Sequence, residues 1–142
     1  MQLQQLNRTD PERVFVIGQN LSTGTLVGNT LVCWEGVIAS NVSFGNGFMQ
    51  PITSNRNLFA GVLDADVATG AFGLIQVYGH RASIAANPAT DVSISAAGLI
   101  MGPVAASVSA QSNGASHQFG PIMLFGPAFS GSGYYHGFIR AM

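Results

Sequence analysis

The chain has 142 residues, enough for one domain with its own core. Only 8% of them are Asp, Glu, Lys or Arg, against roughly 25% in an average soluble domain. There is no lysine, which excludes Schiff-base and P-loop chemistry, and a formal charge of −1 with five scattered arginines leaves no basic stripe for nucleic acid.

Residues 1 to 13, MQLQQLNRTDPER, are polar and Gln-rich and read as an arm ahead of the first strand; Arg8 and Arg13 lie on it. The arm lacks the basic start and apolar centre of a secretory signal, so the sequons NRT, NLS and NVS read as chance matches. Short apolar runs bounded by Gly, Asn and Ser then follow: VFVIG, LVCWEGVIA, LFAGVL, FGLIQVY, VSIS, PIMLF and YYHGFI. Eighteen glycines and six prolines break the chain too often for a sustained helical stripe. VSIS alternates in sidedness, and in LIQVY Leu74 and Gln76 oppose Ile75 and Val77. Short strands with turn residues at this spacing predict an all-β sandwich or barrel, its core spanning about residues 14 to 110. Cys33, the single cysteine, and Trp34, the single tryptophan, sit in LVCW and read as core.

After Asp91 no formal charge occurs until Arg140, a run of 48 residues. A free-standing surface carries mixed charges, whereas interface cores are poor in Lys, Glu and Asp. The gap therefore predicts a homo-oligomer or another permanent partner. GLIMGPVAASVSAQSNG is no spanning helix, because Pro103 cuts it and Ser, Gln and Asn follow, so no membrane is expected. QSNGASHQ reads as an exposed loop. Residues 111 to 142 then form an aromatic tail with Phe119, Phe125, Phe129, Tyr134, Tyr135 and Phe138, which either covers the open end of the core or docks on a neighbour.

Chemical motifs are few. Asp64 and Asp66, followed by His80 and Arg81, could form an acid–base pair or a metal site, but a metal needs three or four ligands. DADVATG reads better as the turn between LFAGVL and FGLIQVY, with His80-Arg81 the polar exit of the second strand. On that reading Asp64, Asp66 and Arg81 mark a face that meets water or a polar partner. His80, His117 and His136 have no HxH or HxxxH spacing, and FSGSGYY is neither a GxSxG elbow nor a phosphate loop. No catalytic residue, metal or cofactor is expected. The aromatics of the tail leave open a carbohydrate-binding or small hydrolase module.

Three stretches carry a resemblance: TGTLVGNTLVCWEGV, MQPITSNRNLFAGVLDADVATGAFGLIQVYGH and VSISAAGLIMGP. Together they resemble small phage virion proteins of the capsid cement or head-decoration type over residues 24 to 105. The shared pattern is a strand with a polar break (Val32 to Val37), a strand of F-x-G-V form (Phe59 to Val62) and an Asp/Ala turn ending in Gly (Asp64 to Gly70). A V-Q-x-x-G strand (Ile75 to Gly79) and a Gly-containing turn (Ala97 to Pro103) complete it. The resemblance implies a non-enzymatic subunit, commonly a trimer, that sits on the outside of a capsid and clamps neighbouring major capsid proteins. A tail or baseplate subunit is the alternative within the virion. Partner contacts are expected at Arg8, Arg13, Phe129, Tyr134, Tyr135 and Phe138.

Overall fold

The computed structural model describes residues 12–35, 46–52, 54–55, 57–86, 99–103, 110–111, 121–125 and 133–141. Nine strands run through them: β1 (Arg13–Asn20), β2 (Leu31–Trp34), β3 (Gly47–Met49), β4 (Phe59–Leu63), β5 (Phe72–Ala86), β6 (Leu99–Pro103), β7 (Ala110–Gln111), β8 (Ile122–Phe125) and β9 (Gly133–Arg140). They form one mixed sheet in the order β1-β3-β2-β4-β5-β7-β6-β8-β9, with β1–β5 and β5–β9 pairings in addition. Those two extra pairings close the sheet twice, so the expected all-β fold is a figure of eight built of two rings that share β5.

The sharing is possible because β5 is 15 residues long. Its first half, Phe72 to Gly79, pairs antiparallel with β1, and Gln76 and Ile75 also meet Val62 and Leu63 of β4. Its second half, Tyr78 to Ala86, pairs antiparallel with β9, and Ala86 meets Ala110 of β7. β2 and β3 complete the first ring; β6 and β8 complete the second.

Each ring has its own aliphatic interior. Leu26, Val32, Phe48, Ala60, Leu63, Val67, Ile75 and Val77 fill the first. Ile84, Ala86, Ile122, Leu124 and Ile139 fill the second, joined by Leu31 and Val62. Adjacent residues of β2 and β4 thus face different cores: Leu31 and Val62 one, Val32 and Leu63 the other. Strands covered on both faces read as continuous apolar runs, and LVCW and FAGVL are such runs. β8 is covered on one face only and alternates, with Ile122 and Leu124 buried and Met123 and Phe125 exposed.

Two glycines let strands approach where no side chain fits. A Cβ on Gly61, at φ +148°, would lie 2.3 Å from the Gln76 carbonyl oxygen; one on Gly79, at φ +104°, would lie 2.0 Å from that of Glu12. Both conformations are ones that L-residues avoid. At Gly79, as at Tyr78, β5 is paired with β1 on one edge and with β9 on the other.

Several expectations need correction. The second strand of the Asp turn does not exit at His80-Arg81 but continues to Ala86, because β9 takes over its hydrogen bonding from β4. The expected turn from Ala97 to Pro103 contains a strand, β6. The expected strand from Val32 to Val37 ends at Trp34. Residues 111 to 142 are not an appendage to a core ending at 110, since they supply β8 and β9. Arg13 belongs to β1 rather than to an arm. VSIS, His117, Arg8 and Phe129 lie outside the described residues.

Candidate interaction surface

The acids singled out in the sequence are at the seam between the rings. β4 ends at Leu63, and residues 64 to 71 turn the chain back into β5. Asp66 accepts the Gly28 backbone N–H through Oδ1 at 2.7 Å. Leu26 and Val67 bridge beside it, so the turn is fastened to the 26–29 loop. This bears out the reading of DADVATG as a turn between strands.

Of the three charges expected on a face that meets water or a polar partner, Asp64 and Asp66 are exposed, but Arg81 is 8% exposed. The reversal follows from β5 running on past it, which carries its guanidinium into the seam. Its Nη1 donates to Asp64 Oδ1 and Gln76 Oε1, both at 3.1 Å. Nη2 donates to the Leu63 carbonyl at 2.8 Å, the Asp64 carbonyl at 3.3 Å and Asn29 Oδ1 at 2.8 Å. Nε donates to Asn29 Oδ1 at 3.2 Å and the Ser83 carbonyl at 3.0 Å. All three nitrogens are engaged, as a charge inside a protein requires. Gln76, fully buried, passes the network on through Nε2 to the Tyr78 and His80 carbonyls. Asn29 holds a left-handed backbone, φ 67°, which Asn tolerates better than most residues. The arrangement is a structural clasp: Asp64 goes to Arg81 rather than to His80, and the set Asp64, Asp66 and His80 is not assembled.

His80 instead faces the solvent side of β5. Its ring centroid is 6.2 Å from that of His136 on β9. The register pairs His80 with Phe138, Phe138 with Met123, and His136 with Phe125. Directly paired residues share a sheet face, so these side chains form one outer surface of the second ring. Tyr78 stacks edge-on against Phe138 at 5.0 Å, and Arg140 lies opposite Tyr78. Met123, Phe125 and Tyr134 are exposed, Tyr134 by 62%. Of the expected contact residues, Tyr134 lies on β9 with its side chain in solvent, and Phe138 is half-buried on the outer surface. Tyr135 is turned inward by the strand's alternation and, partly buried, packs against the core of the second ring.

A second apolar face was not foreseen. Ile17 and Leu74 are register partners, and Phe72 follows two residues from Leu74 on the same side. Ile17 is 64% exposed, Phe72 62% and Leu74 45%. The alternation of LIQVY sets Leu74 opposite Ile75 but on the side of Gln76, which is fully buried, so the pattern alone does not mark Leu74 as exposed. Arg13 is exposed at the other end of β1.

Cys33 is fully buried, and burial pushes its thiol up to about 12, which leaves it an inert core residue. Among the described residues no three His, Cys, Asp or Glu side chains are placed to hold one metal ion, and no helix is long and apolar enough to cross a membrane. The chain matches no protein-family model, no curated protein and no solved structure.

Proposed function

We propose that this chain is a non-enzymatic structural subunit of a virion that binds the outside of a phage capsid and bridges major capsid proteins, working as a homotrimer. The observation that carries the reading is the pair of apolar faces on different rings. A cement subunit has to hold its own copies and the shell together, which takes two surfaces that can be occupied at once. The described residues of the 48-residue run without formal charge belong to β6, β7, β8 and β9 or adjoin them, which fits a face covered by another copy. Ile17 of the Ile17–Phe72–Leu74 face lies on β1, the strand that follows residues 1 to 12, with Phe72 and Leu74 beside it on β5, and this is the face assigned to the shell. Contact strength would come from apolar burial at about 25 cal/mol per Å² less the cost of association, multiplied by simultaneous engagement of three copies.

Light scattering on the purified chain tests the first half. A particle of three times the 14.7 kDa chain mass supports it; a well-behaved monomer overturns it. Locating the chain on intact phage particles by immunogold labelling tests the second half. Label over the head supports a capsid role, and label confined to the tail or baseplate replaces it with the other virion reading.

A further inference from the structure

The histidine pair on the outer face of the second ring has no part in the clasp or the cores. The groups that share its surroundings can be named strand by strand. β5 contributes Tyr78 and His80 outward and turns Arg81 into the seam. β9 contributes Tyr134, His136 and Arg140 outward and Tyr135 inward. β6, β7 and β8 contain no titratable side chain. At the edge of the face β1 brings Arg13 opposite Gly79, with Glu12 just before it. None of β5 to β9 contains a carboxylate. Near neutral pH the formal charge carried by these outward residues of β5 and β9 is that of Arg140.

We propose that the β5–β8–β9 face is an acid-released contact between copies of this chain, in which His80 and His136 must both be neutral for the copies to stay together. The inference rests on the self-association proposed above. Two imidazolium rings 6.2 Å apart, joined by Arg140 on the same strand and without an acid on any of the five strands, would put like charges into a drying interface. That arrangement is costly on both desolvation and repulsion grounds. Histidine is the side chain that ordinarily changes charge between pH 5 and 8. Protons taken up by the open face and refused by the closed one weaken the contact as pH falls. With two such protons taken up by each chain that leaves, the loss is about a hundredfold per pH unit for every chain released, below the histidine range. A second copy is the occupant this argument favours, because such faces gathered about the axis of the proposed trimer bring together aromatic surface and, at neutral pH, little charge.

The test is light scattering on the full chain from about pH 8 down to about pH 5, with far-ultraviolet circular dichroism at each step. The expected result is an oligomer at the upper end and a folded monomer at the lower. The variant His80→Gln/His136→Gln is expected to remain assembled throughout. Should that variant fail to assemble at all, the wild-type profile decides: a dependence on about two protons per chain supports the proposal, and a flat profile overturns it. An oligomer that persists at the acid end, or a double variant that dissociates like wild type, also overturns it. A monomer at the alkaline end sinks the self-association reading and the switch with it, and is distinguishable from a switch that fails on an assembled protein.

Discussion

The first ring ties its loops to its strands with side chains, whereas the second, Tyr135 apart, turns the polar and aromatic side chains of β8 and β9 outward. In the first, fully buried Asn20 donates through Nδ2 to the Gly24 and Val67 carbonyls and accepts the Ser22 N–H, while Gln19 reaches the Gly70 carbonyl and Asp66 holds Gly28. Glu12, Arg13, Glu35, Asp64 and Asp66 all belong to this half of the chain. In the second ring Ile84, Ile122, Leu124 and Ile139 fill the interior, and the outside carries Met123, Phe125, Tyr134, His136 and Phe138. Polar anchoring fixes a loop in one conformation, since each buried donor or acceptor left unpaired is costly. An outward aromatic surface, the Tyr78–Phe138 stack apart, holds little within the chain; its value lies in what it can cover. The contrast separates a half that specifies the fold from a half that presents a surface, with Arg81 at their boundary.

Removing that boundary should have the largest effect. The Arg81–Asp64 pair itself is worth little, because the Asp64 side chain is 46% exposed. The cost of Arg81→Leu comes from the buried acceptors it abandons, Gln76 Oε1 and the Leu63 carbonyl above all. The expected loss is about 3–5 kcal/mol, read as a lower urea midpoint. Trp34 reports on the first ring, and Tyr134 and Tyr135 report on the second. If tryptophan fluorescence and near-ultraviolet tyrosine signals then separate into two transitions, the rings are distinct cooperative units. If they still coincide, the shared strand alone couples them.

Gly79→Ala strikes the same crossing through the backbone. Its positive φ and the Glu12 carbonyl in the place of a Cβ should cost about 3 kcal/mol by denaturant unfolding. The loss should concentrate where β1 leaves β5, so hydrogen exchange of β1 amides should accelerate more than that of β9. Equal acceleration in both would show that the crossing serves the two rings alike.

An alkaline titration addresses the buried thiol of β2. The Cys33 thiol is raised by burial from 9.0 to about 12, so the folded protein refuses to ionise where the unfolded chain does. The stability this thiol contributes is complete below pH 9 and is lost as pH rises toward 12, by about 1.4 kcal/mol per unit. Cys33→Ala should cost stability at neutral pH and remove this thiol's share of the alkaline slope. A slope unchanged in the variant would place its origin elsewhere.

The all-β class was legible from short apolar runs, and the two-sided burial of β2 and β4 is written in LVCW and FAGVL as unbroken hydrophobicity. The figure of eight was not, because it depends on long-range register. Nothing local to Phe72–Ala86 says that one half pairs with β1 and the other with β9. His80-Arg81 resembled a strand end because charge in mid-strand is rare, yet the apolar run resumes at Ile84, and a strand carrying its arginine inward explains both. The short strands β3 and β7 offered no periodicity to read. Tyr134 and Tyr135 looked equivalent in sequence; only the pleat separates the one that can meet a partner from the one that packs inside.

The smallest effects on stability should fall on the outer faces, and there the comparison between the rings becomes a statement about assembly. Tyr134→Ser and Ile17→Ser each remove an apolar side chain that already stands mostly in solvent, so each should change unfolding free energy by less than about 0.5 kcal/mol. Their consequences for association should differ. Tyr134→Ser should shift the oligomer toward monomer in light scattering, because it thins the face assigned to copies of the chain. Ile17→Ser should leave the oligomer intact and lower occupancy on particles, because it thins the face assigned to the shell. The reverse pattern would exchange the two assignments while keeping the bivalent reading. Two variants with identical effects on oligomer mass would mean that both rings contribute to one continuous contact, and the division into an internal face and a shell face would have to be given up.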